Sequence, residues 1–136
     1  MYPKKPVRVI LDSSFLFVPS QFNIDIFEEL AKVLNRKYDP LVLSSTLEEL
    51  HKIASGGSVK IRRQASFALK FAEKSKLITL KKGEGESYDD VVVRAALEMG
   101  CSVATNDREL RRKLRQIKVP VIYLRQKTHL TIDGAI

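Results

Sequence analysis

Hydrophobic and polar positions along this chain alternate between two rhythms. Val7-Arg-Val-Ile-Leu11 is a short, mostly apolar, β-branched run ending at Asp12, the pattern of a strand covered on both faces. After a break at Pro19-Ser20, residues 24–34 set Phe27, Leu30, Ala31 and Leu34 at helical spacing, and Tyr38-Asp-Pro is expected to stop that helix. Leu41-Val-Leu43 predicts a second strand. Ser44-Ser-Thr-Leu-Glu-Glu then reads as a serine-capped helix start with acids in its first turn, running to Gly56-Gly57. The next helix, over 58–76, carries Ile61, Ala65, Ala68, Leu69 and Ala72 on one face and Lys60, Arg62, Arg63 and Lys70 among its polar positions.

The second half repeats the alternation. Residues 77–80 predict strand three, and the loop Lys81-Lys-Gly-Glu-Gly-Glu leads to Ser87, placed to cap a helix ending at Gly100. Residues 102–105 predict strand four, 108–116 a short and very basic helix, and 119–124 strand five; the tail after Arg125 is only weakly patterned. Strands alternating with helices, with connections long enough for crossovers, indicate an α/β fold: a doubly wound, parallel sheet of about five strands in one domain over 1–136, with 126–136 as a C-terminal tail.

Composition fits that picture. At 136 residues, 44% hydrophobic and 29% charged, the chain is neither disordered nor fibrous in composition. Its basic opening, Met-Tyr-Pro-Lys-Lys-Pro-Val-Arg, leads into an apolar run too short for a signal-peptide core or a membrane span, so a cytoplasmic protein without membrane partners is expected. The single cysteine, Cys101, can close no internal disulfide and reads as a small buried hydrophobe. The 24 Lys+Arg against 16 Asp+Glu give a formal charge of +8, the electrostatic footprint of a protein that meets a polyanion. There is no Trp, and no RNP-like aromatic cluster for stacking bases.

Against that basic background, four acids stand out. In an open parallel α/β sheet, ligands bind outside the carboxyl ends of the strands, so an acid just after a strand is a candidate for chemistry. Asp12 follows strand one; Asp107 follows strand four after Thr105-Asn106. An Asp there is also an ordinary helix cap, so neither decides alone. The helices starting near Thr46 and Ser87 begin at the same sheet edge and carry the pairs Glu48-Glu49 and Asp89-Asp90. At about 100° per residue, Glu49 falls roughly 110° from the centre of the face made by Leu47, Leu50, Ile53 and Ala54, and Glu48 roughly 150°. Asp89 lies about 90° from the face of Val91, Val92, Ala95, Ala96 and Met99, with Asp90 nearly opposite. Glu49 and Asp89 can therefore reach a cleft, while Glu48 and Asp90 face water.

Four acids at one edge repel unless a hard divalent cation neutralises them, which makes Mg²⁺ or Mn²⁺ the natural cofactor. Such ions activate water for in-line attack on a phosphodiester, chemistry suited to a protein basic elsewhere and acidic here. Two histidines, His51 and His129, with one cysteine make no structural zinc site, and no P-loop or GxGxxG follows a strand. His51 is expected at the surface. A HAD-type phosphatase needs a second Asp two residues after the first, where Ser14 stands. A phospho-receiver wants an acceptor Asp after strand three and a Lys after strand five, where Lys81 and Arg125 stand.

These residues resemble the PIN-domain ribonucleases over nearly the whole length. Asp12 in Ile-Leu-Asp-Ser-Ser-Phe-Leu looks like the family's first motif, with Ser14 in the place of its usual Asn or Ser/Thr helper. Leu47-Glu-Glu-Leu50 resembles the second, in which the acid directly before the Leu, here Glu49, is the functional one. Ser-Tyr-Asp-Asp-Val-Val-Val-Arg-Ala-Ala resembles the third, with Asp89, and Val-Ala-Thr-Asn-Asp-Arg-Glu-Leu the fourth, with Thr105 and Asp107. The resemblance implies a three-layer α/β/α fold and Mg²⁺- or Mn²⁺-dependent cleavage of single-stranded or structured RNA. It also implies frequent homodimers. Two branches are similar: the nucleases of small-subunit ribosomal RNA processing, and the VapC toxins of toxin–antitoxin pairs, so the implied protein partner is an antitoxin or a ribosome-assembly factor. On this reading Asp12, Asp89 and Asp107 are the principal metal ligands, with Glu49 slightly withdrawn. Arg108, Arg111, Arg112 and Lys113 beside them would hold the RNA backbone. The competing reading is a non-catalytic PIN-like scaffold, against which the presence of all four acids argues.

Overall fold

A computed structural model describes residues 5–136; the first four residues of the basic opening lie outside it. Six strands form one sheet in the order β3-β2-β1-β4-β5-β6. β1 (Val7–Leu11), β2 (Tyr38–Leu43), β3 (Lys76–Ile78), β4 (Ser102–Ala104) and β5 (Val121–Arg125) run parallel, and β6 (His129–Asp133) is antiparallel to β5. The chain winds outward from β1 to β2 and β3, then returns across the sheet to place β4 on the other flank of β1. That reversal is the topological switch point at which open α/β sheets bind ligands.

The sheet separates two cores, which makes the fold three layers deep. Val7, Val9 and Leu11 of β1 point to one face with Phe15, Leu16, Ile26, Leu30, Leu50, Ala68 and Ala72; Ile10 points to the other with Val91, Val92, Ala95, Leu110 and Leu114. Period-two alternation within β1 thus serves both layers, as a central parallel strand requires. On the first face lie α1 (Ser13–Leu16), α2 (Val18–Phe22), α3 (Ile26–Leu34), α4 (Ser44–Ala54) and α5 (Val59–Ala72). On the second lie α6 (Tyr88–Met99) and α7 (Arg108–Gln116). Among the described residues no helix is long and apolar enough to cross a membrane.

Several expectations are corrected. The break expected at Pro19 is a helix start: Pro19 sits in the first turn of α2, where its missing N–H costs nothing. Tyr38-Asp-Pro does not merely stop α3, which ends at Asn35 in the left-handed conformation; it opens β2. Pro40 is tolerated there because it lies opposite Val9 of β1, before the pairing with β3 begins at Leu41. Ser44 is not a cap. Leu43 holds the cap position, and the Ser44 hydroxyl instead accepts from the Leu80 N–H at 3.0 Å and lies 3.2 Å from its carbonyl, tying the start of α4 to the segment that follows β3. Ile61 is 45% exposed, so the buried face of α5 is its alanine stripe, Ala65, Ala68 and Ala72.

The largest correction concerns the C-terminal tail. Residues 129–133 form the sixth strand, with Leu130 buried and Ile132 packed against the first core. Leu130→Ala should therefore destabilise the protein by about 2–4 kcal/mol in urea denaturation, the range for a buried leucine; a loss below about 0.5 kcal/mol would show that the tail is dispensable.

Candidate active site

β1 and β4 pair in the register Leu11 opposite Ala104, so the residues that follow, Asp12 and Thr105, emerge side by side at the carboxyl edge. The Asp12 N–H donates to the Ala104 carbonyl at 3.0 Å, and its own carbonyl accepts from Phe15 and Leu16. Its side chain, in a residue only 5% exposed, caps nothing. Instead Asp12 Oδ2 accepts two hydroxyl bonds, from Ser14 at 2.7 Å and from Thr105 at 2.8 Å. Each hydroxyl is itself oriented by a backbone N–H: Asn106 donates to Ser14 Oγ at 2.9 Å and Asp107 to Thr105 Oγ1 at 3.1 Å. With both protons directed at Asp12, the 3.1 Å approach of the two hydroxyls to each other is a contact rather than a bond. One carboxylate oxygen is thus locked, leaving Oδ1 as the free donor.

Asp107 shares its duties. Its Oδ1 caps α7, accepting from Glu109 at 2.9 Å and Leu110 at 3.3 Å, so the ordinary capping role is real here. Asp89 has no such duty. The cap of α6 is Ser87, which accepts from the Asp90 N–H while Asp90 accepts from Ser87 N, a reciprocal box that turns Asp90 outward. Upstream, Glu86 pairs with Arg94 at 2.9 Å and accepts from Gly83 N, and Arg94 also donates to the Lys81 carbonyl. These bonds fix the loop entering α6 and therefore the position of Asp89. Glu48 is likewise turned to water, paired with Lys52, whereas Glu49 is half-buried.

The acids raise one another's proton affinity. Asp89 is pushed up to about 6 by burial first, then by Asp12 and Asp107, with Lys113 opposing. Glu49 is raised by burial and by Asp12 and Asp89, and the Ser13 hydroxyl offsets part of this. α4 and α6 belong to different faces of the sheet yet meet at this edge, which brings Glu49 within electrostatic reach of both Asp12 and Asp89. Among the described residues no three Asp, Glu, His or Cys side chains enclose an ion. The carboxylates border an open site, in which a small hard cation would keep several of its waters and leave positions for phosphate oxygens. His51 is exposed in the last turn of α4.

The basic helix divides its charges. Lys113 pairs with Glu109 at 4.0 Å and is near enough to lower Asp89 and Asp90; Arg108 and Arg111 line a cleft with Thr105, Asp107 and Tyr123; Arg112 lies on the outer side, near Arg115, which is committed to Asp133 at 3.1 Å. Sequence reasoning gave neither Ser13 nor Tyr123 a role at the site. Ser13 borders Asp12 and signals itself only through Glu49, and Tyr123 is hidden within a strand whose apolar pattern masks it.

Known proteins resemble the chain in sequence and in fold. Residues 9–127 match the family described as PIN like domain. The chain is 29% identical to Ribonuclease VapC4 of Methanocaldococcus jannaschii over 95% of its own length and 98% of that protein's. It is 31% identical to the rRNA-processing protein FCF1 of Saccharomyces cerevisiae over 84% of its length, spanning only 57% of that relative. The structure superposes on the PIN domain endonuclease Utp24 with a TM-score of 0.77, at 26% identity, covering 96% of this chain and 94% of the other. The family match over most of the chain and the superposition on a PIN endonuclease make the chain a member of the PIN-like domain family of nucleases.

Proposed function

We propose that this chain is a metal-dependent endoribonuclease whose site is built from Asp12, Asp89, Asp107 and Glu49. The observation that carries the reading is the gathering of Asp12, Asp107 and Asp89 at the carboxyl edge of β1 and β4, where burial and then the charges of Asp12 and Asp107 push Asp89 up to about 6, a cost that a bound cation would relieve. Asp12, through its free Oδ1, together with Asp89 and the uncommitted oxygen of Asp107, would hold Mg²⁺ or Mn²⁺. Such an ion would supply an activated water and charge neutralisation at the phosphate.

The residues of the chain do the positioning. Ser14 and Thr105 keep the Asp12 carboxylate from rotating, as outer partners of ligands do. Glu49, half-buried near Asp12 and Asp89, would accept a hydrogen bond from a water at the site and orient it. Lys113 offsets part of the negative field, and the cations of α7 receive the RNA backbone. Two cellular settings fit, ribosomal RNA processing and the toxic component of a VapC-type pair. Cleavage of a small-subunit rRNA precursor at one position marks the first, and growth arrest on expression, relieved by a cognate antitoxin, marks the second.

The purified protein should cleave single-stranded RNA with Mn²⁺ or Mg²⁺, stop with EDTA, and lose cleavage as Asp12→Asn or Asp89→Asn with an unchanged circular dichroism spectrum. Equal cleavage by those variants would remove the assignment. Ser14→Ala and Thr105→Val should each lower activity or metal affinity by about 10–100-fold, the usual effect of losing an outer partner; no change would mean that Asp12 needs no support.

A pH dependence follows as well. Without cation, the folded state holds a proton on Asp89 up to about pH 6 that the unfolded chain releases near 3.8, so this group's contribution to stability falls as pH rises through that window. In EDTA, thermal denaturation should find Asp89→Asn more stable than wild type above about pH 6, with the gap closing toward about pH 4. Mn²⁺ at neutral pH should stabilise wild type and not the variant. A gap independent of pH would contradict the burial of Asp89 among acids.

A further inference from the structure

Beside the carboxylates, and continuous with them through Thr105 and Asp107, lies a cleft of about 670 Å³ between α7 and the β5–β6 hairpin. Arg108, Arg111, Arg125 and Lys127 line it against the single acid Asp107. Among the described residues none of these four cations has a carboxylate partner, whereas Arg94 and Arg115 elsewhere do. Uncompensated cations gathered in a concavity raise the local concentration of an anion.

Two further observations show what kind of anion it suits. The Arg111 guanidinium lies over the Tyr123 ring at 3.9 Å from its centre, and both residues are half-buried. A guanidinium held flat on an aromatic ring keeps its outer face for a second planar group, and nucleic-acid bases stack on arginine planes in this way. The hairpin itself is strained. The Thr128 N–H closes a tight turn on the Arg125 carbonyl at 3.2 Å, with Gln126 at φ 55° and Lys127 at φ 61°. A turn with both central residues left-handed ordinarily takes Asn-Gly or Asp-Gly, because long side chains are penalised there. Here two long polar side chains occupy it at the mouth of the cleft. Local strain retained at the rim of a site is a sign that the side chains, not the turn, are what the position serves.

We propose that this cleft is a nucleotide subsite of the nuclease. One base of the single-stranded RNA stacks on Arg111 against Tyr123, and the adjoining phosphates meet Arg108, Arg125 and Lys127. The proposal rests on the ribonuclease reading for the identity of its ligand. It makes Arg111 and the hairpin tip determinants of how a strand is laid into the carboxylates.

The test is fluorescence anisotropy of a short labelled single-stranded RNA in EDTA across a salt series, alongside cleavage by the same proteins in Mn²⁺. Arg111→Ala should weaken binding about tenfold, within the range for losing one stacked base. Arg125→Ala and Lys127→Ala should each reduce the slope of log K against log salt by about 0.7, one phosphate contact's worth. The double variant Gln126→Asn with Lys127→Gly, which relieves the turn, should melt at a higher temperature than wild type yet bind RNA more weakly. A turn with only a structural role would gain stability without that loss. Wild-type affinity and salt slope in all of these variants, with wild type still cleaving, would overturn the subsite and leave the nuclease reading standing. RNA binding that depends on these residues without cleavage by wild type would do the reverse.

Discussion

Everything at the candidate site depends on the pairing of β1 with β4. Those strands are separated by ninety residues of sequence, yet the register Leu11 opposite Ala104 sets Asp12 beside Thr105, and the 2.8 Å bond between their side chains is the first contact beyond the sheet. Chain reversal at this seam leaves a gap between the connections, into which a strand-end carboxylate can point without becoming a helix cap. Buried Asp12 is stabilised there by two hydroxyls, each fixed by a backbone N–H of the segment after β4. A shift of one residue in that register would turn Asp12 and Thr105 to opposite faces and dissolve the arrangement.

The remaining acids are brought in by secondary structure that is locally self-consistent. The Ser87–Asp90 box and the Glu86–Arg94 pair fix the start of α6, so that Asp89 projects over the seam from one face of the sheet. Glu49 arrives from the other face on α4, whose start is tied to Leu80 through Ser44. The result is an acidic focus in a protein of net charge +8, with Lys113, paired to Glu109, near Asp89 and with Arg108 and Arg111 lining the neighbouring cleft. On the proposed reading, such a field would attract a polyanion overall and a divalent cation locally, the two charges that phosphodiester chemistry must assemble.

Much of this was legible in the sequence because it rests on short-range rules. Strand ends located Asp12 and Asp107, and helix facing separated Glu49 from Glu48 and Asp89 from Asp90; the structure turns Glu48 to Lys52 and Asp90 to Ser87. What escaped has little local signal. α1 and α2 are too short to form on propensity and exist because Phe15, Leu16 and Val18 are buried by the rest of the fold. β6 follows a turn, Gln126-Lys127, that lacks the Asn or Gly that announces a hairpin, so its alternation of Leu130 and Ile132 looked like a weak tail. The double role of Asp107, half cap and half open carboxylate, is a matter of individual oxygens and no sequence pattern encodes it.

The central claim is that the β1–β4 seam gathers carboxylates to hold a divalent cation. Anomalous diffraction from crystals grown with Mn²⁺ tests it most directly. The account predicts a single dominant anomalous region bounded by Asp12 Oδ1, Asp89 and the free oxygen of Asp107, lost in Asp89→Asn crystals. Manganese bound elsewhere, or none at the seam under saturating Mn²⁺, would contradict it.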